Sequence, residues 1–338
     1  MLIASFVHHM GTNNPHYPLH VAVIGEPPPL LKRVMDDYHV LYSFHDKLSI
    51  NKLSIGGKNY WNKLRGLQIP RQHNALLLLD TDIILMQRLE KLTQVYENIG
   101  NKPMFCAAPI GKANDIPEQY WHTVYHKAAI PIPSERMDSV MASLGIESPD
   151  LSVTAQKEIH PQFNSGVVFY SGDTDVLFAE WLRCSQIAQE VCDTLQATDW
   201  LCDDLGDQIG LTMATQALKQ DGISLNIFPE TINIRLPHLY KQAVAWDDML
   251  LLHVIGFNST KDAEINFVDA INQYIRLLIK KMFKIWYHNI GSNRIVDFAK
   301  YVIPTLWTIM RLRNYLLMLY QTYLAAYIPP EGVKRITK

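Results

Sequence analysis

The chain has 338 residues, 48% of them hydrophobic and 19% charged, a composition that excludes a disordered protein and suffices for one large α/β domain with an appendage. Residues 1–266 carry 20 Lys and Arg against 30 Asp and Glu, whereas residues 267–338 carry 11 against 3. The acidic body, with a net charge of −10, argues against nucleic acid as a partner, and the basic tail, with +8, favours an anionic surface.

The cysteines and the hydropathy pattern indicate where in the cell the protein is located. No two of the four cysteines form a CxxC pair, so we expect no zinc site and predict reduced thiols in a cytoplasmic protein. The sequence shows no signal peptide ahead of the first element and no run of 18 uncharged apolar residues, so no transmembrane helix is expected. We predict a cytoplasmic location with peripheral attachment to a membrane.

The first elements follow from apolar spacing. The apolar residues between Leu2 and Met10 recur at helical intervals, which predicts a helix; a strand over residues 2–8 is the alternative. The next predicted elements are a strand at 19–24, a helix from the prolines at 27–29 to residue 38, a strand at 40–42 and a helix at 60–67.

Two carboxylates then follow an apolar run at residues 76–79. The four leucines predict a buried strand, whose end brings Asp80 and Asp82 to the carboxyl edge of a sheet, where open α/β sheets bind ligands. Because a strand alternates its faces, both carboxylates can point the same way, with Thr81 opposed. Such a pair of oxygen ligands suits Mg²⁺ or Mn²⁺ and the phosphates that accompany them. An ordinary strand end is the alternative interpretation.

The middle of the chain contains further strands and an irregular insertion. Residues 109–160 are rich in Pro, His and Ser, and we expect acceptor recognition there, with short helices at 116–127 and 134–144. The remaining predicted elements are strands at 104–108, 163–170, 225–228 and 249–253 and a helix at 207–219.

Four motifs occur in a fixed order: Asp80-Thr81-Asp82, Phe163-Asn164-Ser165-Gly166, Asp207-Gln208 and His253-Val254-Ile255-Gly256. This order resembles that of the family 8 glycosyltransferases, the glycogenin-like and lipopolysaccharide galactosyltransferase-like enzymes, from about residue 1 to 262. The resemblance implies a GT-A fold, a Rossmann-like mixed sheet flanked by helices, over residues 1–265.

The same resemblance implies a function. It implies a metal-dependent transferase that moves a sugar from a nucleoside diphosphate, with UDP favoured, to a glycan or lipid-linked acceptor, with retention of configuration. In that family a strand that holds the nucleotide base precedes the first helix. Because Met1 already lies in the helical pattern, we expect that strand to be missing from this sequence. A donor-impaired or truncated binding protein with this fold is therefore the alternative function.

The resemblance also assigns the metal and phosphate ligands. Asp80, Asp82 and His253 are the expected ligands of Mn²⁺, or of Mg²⁺, which imidazole suits less well. Lys63 matches a lysine that faces the diphosphate, and Arg65 is a nearby substitute. The remaining donor-binding candidates on this side are Thr81, Gly256, which would let the backbone approach the phosphates, and Lys261, which lies two positions later than the family's lysine.

The resemblance assigns the contacts with the donor sugar to two motifs. Asn164, Ser165 and Gly166 fit a turn that presents an amide and a hydroxyl to the donor sugar, with turn chemistry alone as the alternative. Gln208 and Asp207 resemble the residues beside the reacting carbon, and we expect them to be the catalytic pair. Asp at the first turn of a helix is also favoured by the helix dipole, which is the alternative for Asp207.

Residues 266–338 form a basic amphipathic tail. Helical spacing of apolar residues begins at Phe267, and a second apolar face is predicted through Leu306, Met310 and Leu317. Three roles are open for this tail: binding an anionic membrane surface, packing on the domain and forming an oligomer. A nucleotidyltransferase is disfavoured because no glycine-rich signature lies near the start.

Overall fold

The fold is described from a computed structural model over residues 1–48, 60–71, 73, 75–92, 103–109, 118–134, 162–195, 206–228, 232, 234–235, 246–254, 267–289 and 303–327. In chain order the elements are α1 Leu2–Met10, β1 His20–Ile24, α2 Pro29–Asp37, β2 Leu41–His45, a 3₁₀ helix Tyr60–Gln68, β3 Ala75–Leu79, β4 Ile83–Leu85, β5 Met104–Pro109, α3 Glu118–Ala128, β6 Phe163–Ser171, α4 Thr174–Leu195, α5 Gly206–Gln220, β7 Ser224–Ile227, β8 Ile234–Arg235, a 3₁₀ turn Trp246–Asp248, β9 Leu251–His253, α6 Phe267–Asn289, α7 Ile303–Leu319 and a π turn Tyr320–Leu324.

The described strands form three sheets. A four-stranded sheet has the order β3-β6-β5-β7, with β6 antiparallel to both neighbours and β5 parallel to β7. A three-stranded sheet has the order β4-β9-β8, and β1 and β2 form a parallel pair. Helices pack on these sheets, so the predicted mixed α/β fold with flanking helices is confirmed.

The apolar run around the paired carboxylates is two strands rather than one. The first, β3, ends at Leu79 in the four-stranded sheet, and the second, β4, begins at Ile83 in the three-stranded sheet. The intervening residues 80–82 therefore cross from one sheet to the other. This junction places both carboxylates where the two sheets meet.

Alternation along the strands produces a core on each face of the four-stranded sheet. On β5, Phe105 and Ala107 face α3, α4 and α5, whereas Met104 and Cys106 face α1 and β4. The helices α4 and α5 approach closely at Gly210, where an added Cβ would lie 2.0 Å from Ser185 Oγ and 2.8 Å from Ser185 Cα. This contact fixes the first turns of α5.

The two tail helices share one hydrophobic cluster with the rest of the chain, which we call the tail core. Its buried members come from α1, α2, strands β4 and β9 and helices α6 and α7: Ala4, Val34, Ile84, Met86, Met249, Leu252, Val254, Ile271, Tyr274, Ile275, Leu278, Ile309, Leu312, Leu316, Leu319, Tyr320 and Leu324. The tail is thus packed against the described part of residues 1–265.

Several expectations are corrected or confirmed by these elements. Residues 2–10 are helical, so the predicted helix is confirmed there and the alternative strand over residues 2–8 is wrong. Met310 is exposed rather than part of the buried face of α7, because the burial stripe follows Ile309 and Leu312. The helix predicted at 116–127 is present as α3, and the one predicted at 134–144 lies outside the described residues.

Two further observations concern the cysteines and membrane crossing. Cys106 and Cys184 form no disulfide bond, whereas Cys192 is disulfide-bonded. The expectation that all cysteines are reduced is therefore wrong for Cys192, because spacing along the chain does not show which cysteines a fold brings together. Among the helices that the structure describes, none is both long enough and apolar enough to span a bilayer.

Candidate active site

The two carboxylates at the junction between sheets are held by backbone hydrogen bonds to neighbouring strands. Asp80 N donates to Gly166 O on β6 at 2.8 Å, and Val254 N after β9 donates to Asp82 O at 2.9 Å. These bonds tie Asp80 to the four-stranded sheet and Asp82 to the three-stranded sheet. Thr81 between them is exposed, but it lies in a turn between β3 and β4, so the strand alternation predicted across residues 80–82 is wrong.

The third predicted metal ligand reaches the same point from β9. In the antiparallel register His253 lies opposite Ile83, and its Nε2 is 3.2 Å from Asp82 Oδ1. One ligand atom from each of Asp80, Asp82 and His253 lies within 4.8 Å of the others. His253 Nδ1 is buried and has no hydrogen-bond partner within the described residues.

A buried cation lies beside this cluster. Lys63 Nζ, on the 3₁₀ helix, is 2.9 Å from Asp80 Oδ2 and 3.0 Å from Asp207 Oδ2, and it donates to Ser165 Oγ at 2.9 Å. The Ser165 hydroxyl in turn donates to Asp207 Oδ2 at 2.5 Å. The Lys63 side chain is 14% exposed and Asp207 only 2%, so this network is shielded from bulk water.

Burial and neighbouring charges both shift the pKa values of Lys63 and Asp80. Burial lowers the pKa of Lys63, but the Asp207 and Asp80 carboxylates outweigh it and raise that pKa overall. Burial raises the pKa of Asp80; Lys63 opposes this rise, while Asp207 and Asp82 add to it. Asp80 and Asp207 therefore share one ammonium group, and because Asp82 lies close by, the cluster has an excess of negative charge that a divalent cation would neutralise.

The residues fit a metal ion in chemistry as well as in charge. Two carboxylates and an imidazole are the hard and borderline ligands that Mn²⁺ accepts. The buried and unpartnered Nδ1 of His253 is the kind of polar atom that normally needs a partner. Asp80, Asp82 and His253 could thus hold the predicted ion, with Lys63 at its flank.

Gly166 is required by the close packing of His253. A Cβ at this position would lie 2.5 Å from His253 Cε1 and 2.9 Å from Asn164 Oδ1. Its amide donates to Asn164 Oδ1 at 3.0 Å. Asn164, Ser165 and Gly166 all lie within strand β6, so the predicted turn at these residues is wrong: pairing with β3 and β5 on both sides outweighs their local turn preference.

The other predicted residues occupy different surroundings. Arg65 donates to Asp46 O at 2.9 Å and to Gln68 Oε1 at 2.5 Å, and none of its described hydrogen bonds reaches the Lys63 network. Gln208 follows Asp207 on α5, and its Oε1 is buried without a partner among the described residues. Gly256 and Lys261 lie outside the described residues.

One contact was not anticipated from the sequence. Trp181 Nε1, on α4, donates to Asp207 O at 2.8 Å, and the indole is fully buried. It holds the first turn of α5 in place beneath the Asp207 carboxylate. The helical spacing of Leu177, Trp181 and Ile187 is typical of a buried helix face, but nothing in that spacing indicates a hydrogen bond from the ring nitrogen of Trp181.

Comparisons with known proteins concern the part of the chain that carries this site. Residues 56–219 match the family model described as the Rhodobacterales glycosyltransferase domain, a range that includes Lys63, the paired carboxylates, Ser165 and Asp207. No curated protein matches the chain. The match shows a glycosyltransferase domain over these residues, which make up just under half of the chain. The expectation of this enzyme class is confirmed, while membership of family 8 in particular stays a prediction.

Solved structures of three glycosyltransferases are similar to the chain. The bifunctional glycosyltransferase WbbM in its apo form has 16% identity and a TM-score of 0.42, over 86% of this chain and 49% of its own. Mouse xyloside xylosyltransferase 1, apo form, has 15% identity and a TM-score of 0.40, over 75% and 89%. Galactosyltransferase LgtC, in complex with donor and acceptor sugar analogs, has 10% identity and a TM-score of 0.38, over 87% and 95%. The chain spans about half the length of WbbM.

Proposed function

We propose that the protein is a metal-dependent glycosyltransferase of GT-A type that moves a sugar from a nucleoside diphosphate, UDP in the favoured case, to a glycan or lipid-linked acceptor with retention. The observation that carries this proposal is the convergence of Asp80, Asp82 and His253 within 4.8 Å. The buried Lys63 beside them supplies a fixed positive charge. Together they would form a binding site for a divalent cation and a diphosphate.

The chemistry required is stabilisation of a leaving diphosphate. A divalent ion bound to Asp80, Asp82 and His253 would offset the negative charge that develops on that group. Lys63 is positioned to contact the phosphates from the side, because Asp207 and Ser165 fix its ammonium group. Binding of the ion would also relieve the repulsion between Asp80 and Asp82.

The two predicted catalytic residues have separable roles. Asp207 is buried and bonded to Lys63 and Ser165, which supports a role in orienting Lys63 rather than in binding sugar hydroxyls. Gln208, half-buried on the same turn of α5, retains an unpartnered Oε1 among the described residues. A buried oxygen without a partner supports a role for Gln208 beside a sugar ring whose anomeric carbon gains positive charge during the reaction.

Titration of the protein with UDP, with and without Mn²⁺, tests the proposal by calorimetry. We expect binding that depends on Mn²⁺ and that Asp82→Ala abolishes. The control, Asp221→Ala, removes an exposed carboxylate just beyond α5 and should bind like the wild type. UDP binding that is equally strong in EDTA would contradict the metal-dependent mechanism, and an absence of binding would favour the donor-impaired alternative.

We also propose an anionic membrane surface as a partner of the tail. Between residues 270 and 330 the sequence has eight Lys and Arg and a single acidic residue. On α7, Ile303, Trp307 and Met310 are exposed by 41%, 69% and 42%, at spacings that put them on one face. Exposed Trp beside basic residues is typical of a helix that lies in a membrane interface, and such a location would bring a lipid-linked acceptor close to the donor site.

A further inference from the structure

Strand β4, which begins directly after Asp82, has only one of its edges paired with a strand in the described part of the chain. It is an end strand of the β4-β9-β8 sheet. Toward β9, Met86 N donates to Leu250 O at 2.9 Å, and Asp82 O accepts from the backbone after β9. Because backbone groups alternate along an antiparallel pair, the N–H and C=O of Leu85 point away from β9. Leu85 is fully buried, so both groups need another partner.

Two hydroxyl groups, one from α1 and one from the tail helix α7, supply these partners. Leu85 N donates to Ser5 Oγ at 3.1 Å, and Ser5 is fully buried. The hydroxyl of Tyr315 on α7 donates to Leu85 O at 2.8 Å. Because its proton is used there, the Tyr315 oxygen accepts from His9 Nε2, 2.9 Å away. At Leu85, side chains of two helices thus take the place of a neighbouring strand.

A shift of β4 would move two of the proposed metal ligands. Asp82 directly precedes the strand. His253 lies opposite Ile83 in the β4–β9 pair, and its Nε2 is 3.2 Å from Asp82 Oδ1. The strand has three residues, so few ladder hydrogen bonds hold it, and the two hydroxyl contacts supply a large part of its support. The placement of both ligands therefore depends on helices α1 and α7.

We propose that Tyr315, supplied by the basic tail, is a positioning residue: through its bond to Leu85 O it fixes β4, and with it Asp82 and His253, for a divalent cation. This inference rests on the proposed function, because it requires a metal ion at that cluster. Groups that lie behind metal ligands hold them in the geometry that the ion needs. Helix α7 thereby contributes to the donor site, in addition to its proposed contact with a membrane.

The substitution Tyr315→Phe tests the inference, since it removes the hydroxyl and keeps the ring. Mn²⁺ is titrated against each protein in the presence of UDP, and the free ion is counted by electron paramagnetic resonance. We expect Mn²⁺ binding about 5-fold weaker than in the wild type, the equivalent of one net hydrogen bond. The matched control is Tyr323→Phe, which removes a tail hydroxyl 3.0 Å from His8 Nδ1 of the same helix α1 and should bind Mn²⁺ like the wild type.

The outcomes separate this inference from the proposed function. If the wild type binds no Mn²⁺, or binds it no better than Asp82→Ala, the proposed metal site is wrong and the role of Tyr315 falls with it. If the wild type binds Mn²⁺ and Tyr315→Phe binds it equally well, only the role of Tyr315 is overturned, even where the melting temperature falls. Equal weakening in Tyr315→Phe and Tyr323→Phe would also overturn it, because general loosening of the tail would then suffice.

Discussion

At the scale of single residues, the position of Lys63 is the central feature of the site. Its ammonium group contacts Asp80, Asp207 and Ser165 at 2.9 to 3.0 Å, and nearly all of it is removed from solvent. A buried charge is tolerated only when it is paired. The three partners therefore hold Lys63 in a defined place, and Lys63 in turn neutralises part of their charge.

We expect Lys63→Ala to destabilise the fold as well as to weaken nucleotide binding. Removal of one partner leaves Asp207 buried without its counter-ion, which costs about 3–5 kcal/mol of the free energy of unfolding. Unfolding by urea, from which the free energy of unfolding is obtained, measures this loss.

The exposed pair Lys127–Glu190, with side chains 43% and 45% exposed, supplies the control for that measurement. Lys127→Ala should cost no more than about 1 kcal/mol, because exposed ion pairs contribute little. Equal losses in the two variants would mean that the Lys63 network does not stabilise the fold.

The order of motifs predicted much of this site, and its local structure less well. Asp80, Asp82 and His253 meet because Asp80 follows β3, Asp82 precedes β4 and His253 ends β9, at the point where the two sheets join. The strand predicted at 163–170 is confirmed as β6, whereas the turn predicted within it at Asn164 is wrong, because pairing with distant strands overrides its local turn preference. The contact between Lys63 and Asp207 joins residues far apart in sequence, and no local pattern encodes their distance.

At the scale of elements, the contact between α4 and α5 determines where Asp207 lies. Gly210 belongs to the first turns of α5, three residues after Asp207. An added Cβ there would meet the backbone of Ser185, with N and Cα both at 2.8 Å, and backbone atoms cannot move aside as a flexible side chain can. The glycine thus permits the helix spacing on which the position of Asp207 depends.

Gly210→Ala should therefore separate α4 from α5 and destabilise the protein by about 1–3 kcal/mol, the usual cost of overpacking a core. The displaced turn should also weaken Mn²⁺-dependent UDP binding. Gln220→Ala, at an exposed position near the end of the same helix, is the control and should leave both quantities close to wild type. A fully stable Gly210→Ala variant with normal UDP binding would show that this contact does not fix Asp207. Thermal unfolding and calorimetry supply the two measurements.

At the scale of the whole molecule, the basic tail combines two faces. The buried face of α6 and α7 completes the tail core, whereas the outer face carries Trp307 and its neighbours. Helical spacing in the sequence predicted that both segments are amphipathic, but it could not show what each apolar residue contacts. Met310 is the clearest case, because it lies beside the buried stripe and yet faces outward.

We expect Trp307→Ala to reduce binding to vesicles of anionic phospholipid several-fold, because an exposed indole contributes to interfacial binding. Neutral vesicles should bind weakly in every case, since the eight basic residues provide the attraction. Phe44→Ala, which removes an aromatic side chain 57% exposed on β2, is the control. A flotation assay measures the bound fraction. Equal binding by wild type and Trp307→Ala would contradict the membrane proposal for α7.

The shared tail core also has a consequence for synthesis of the protein. It joins Ala4 of the first helix to Leu324 of the π turn, so its contacts close the largest loop in the described chain. Such distant contacts slow folding and leave apolar surface uncovered until late. While the ribosome is still adding α7, strands β4 and β9 lack their covering helices. A nascent chain would thus bury these two strands, which flank the proposed cation site, only after α6 and α7 have been synthesised.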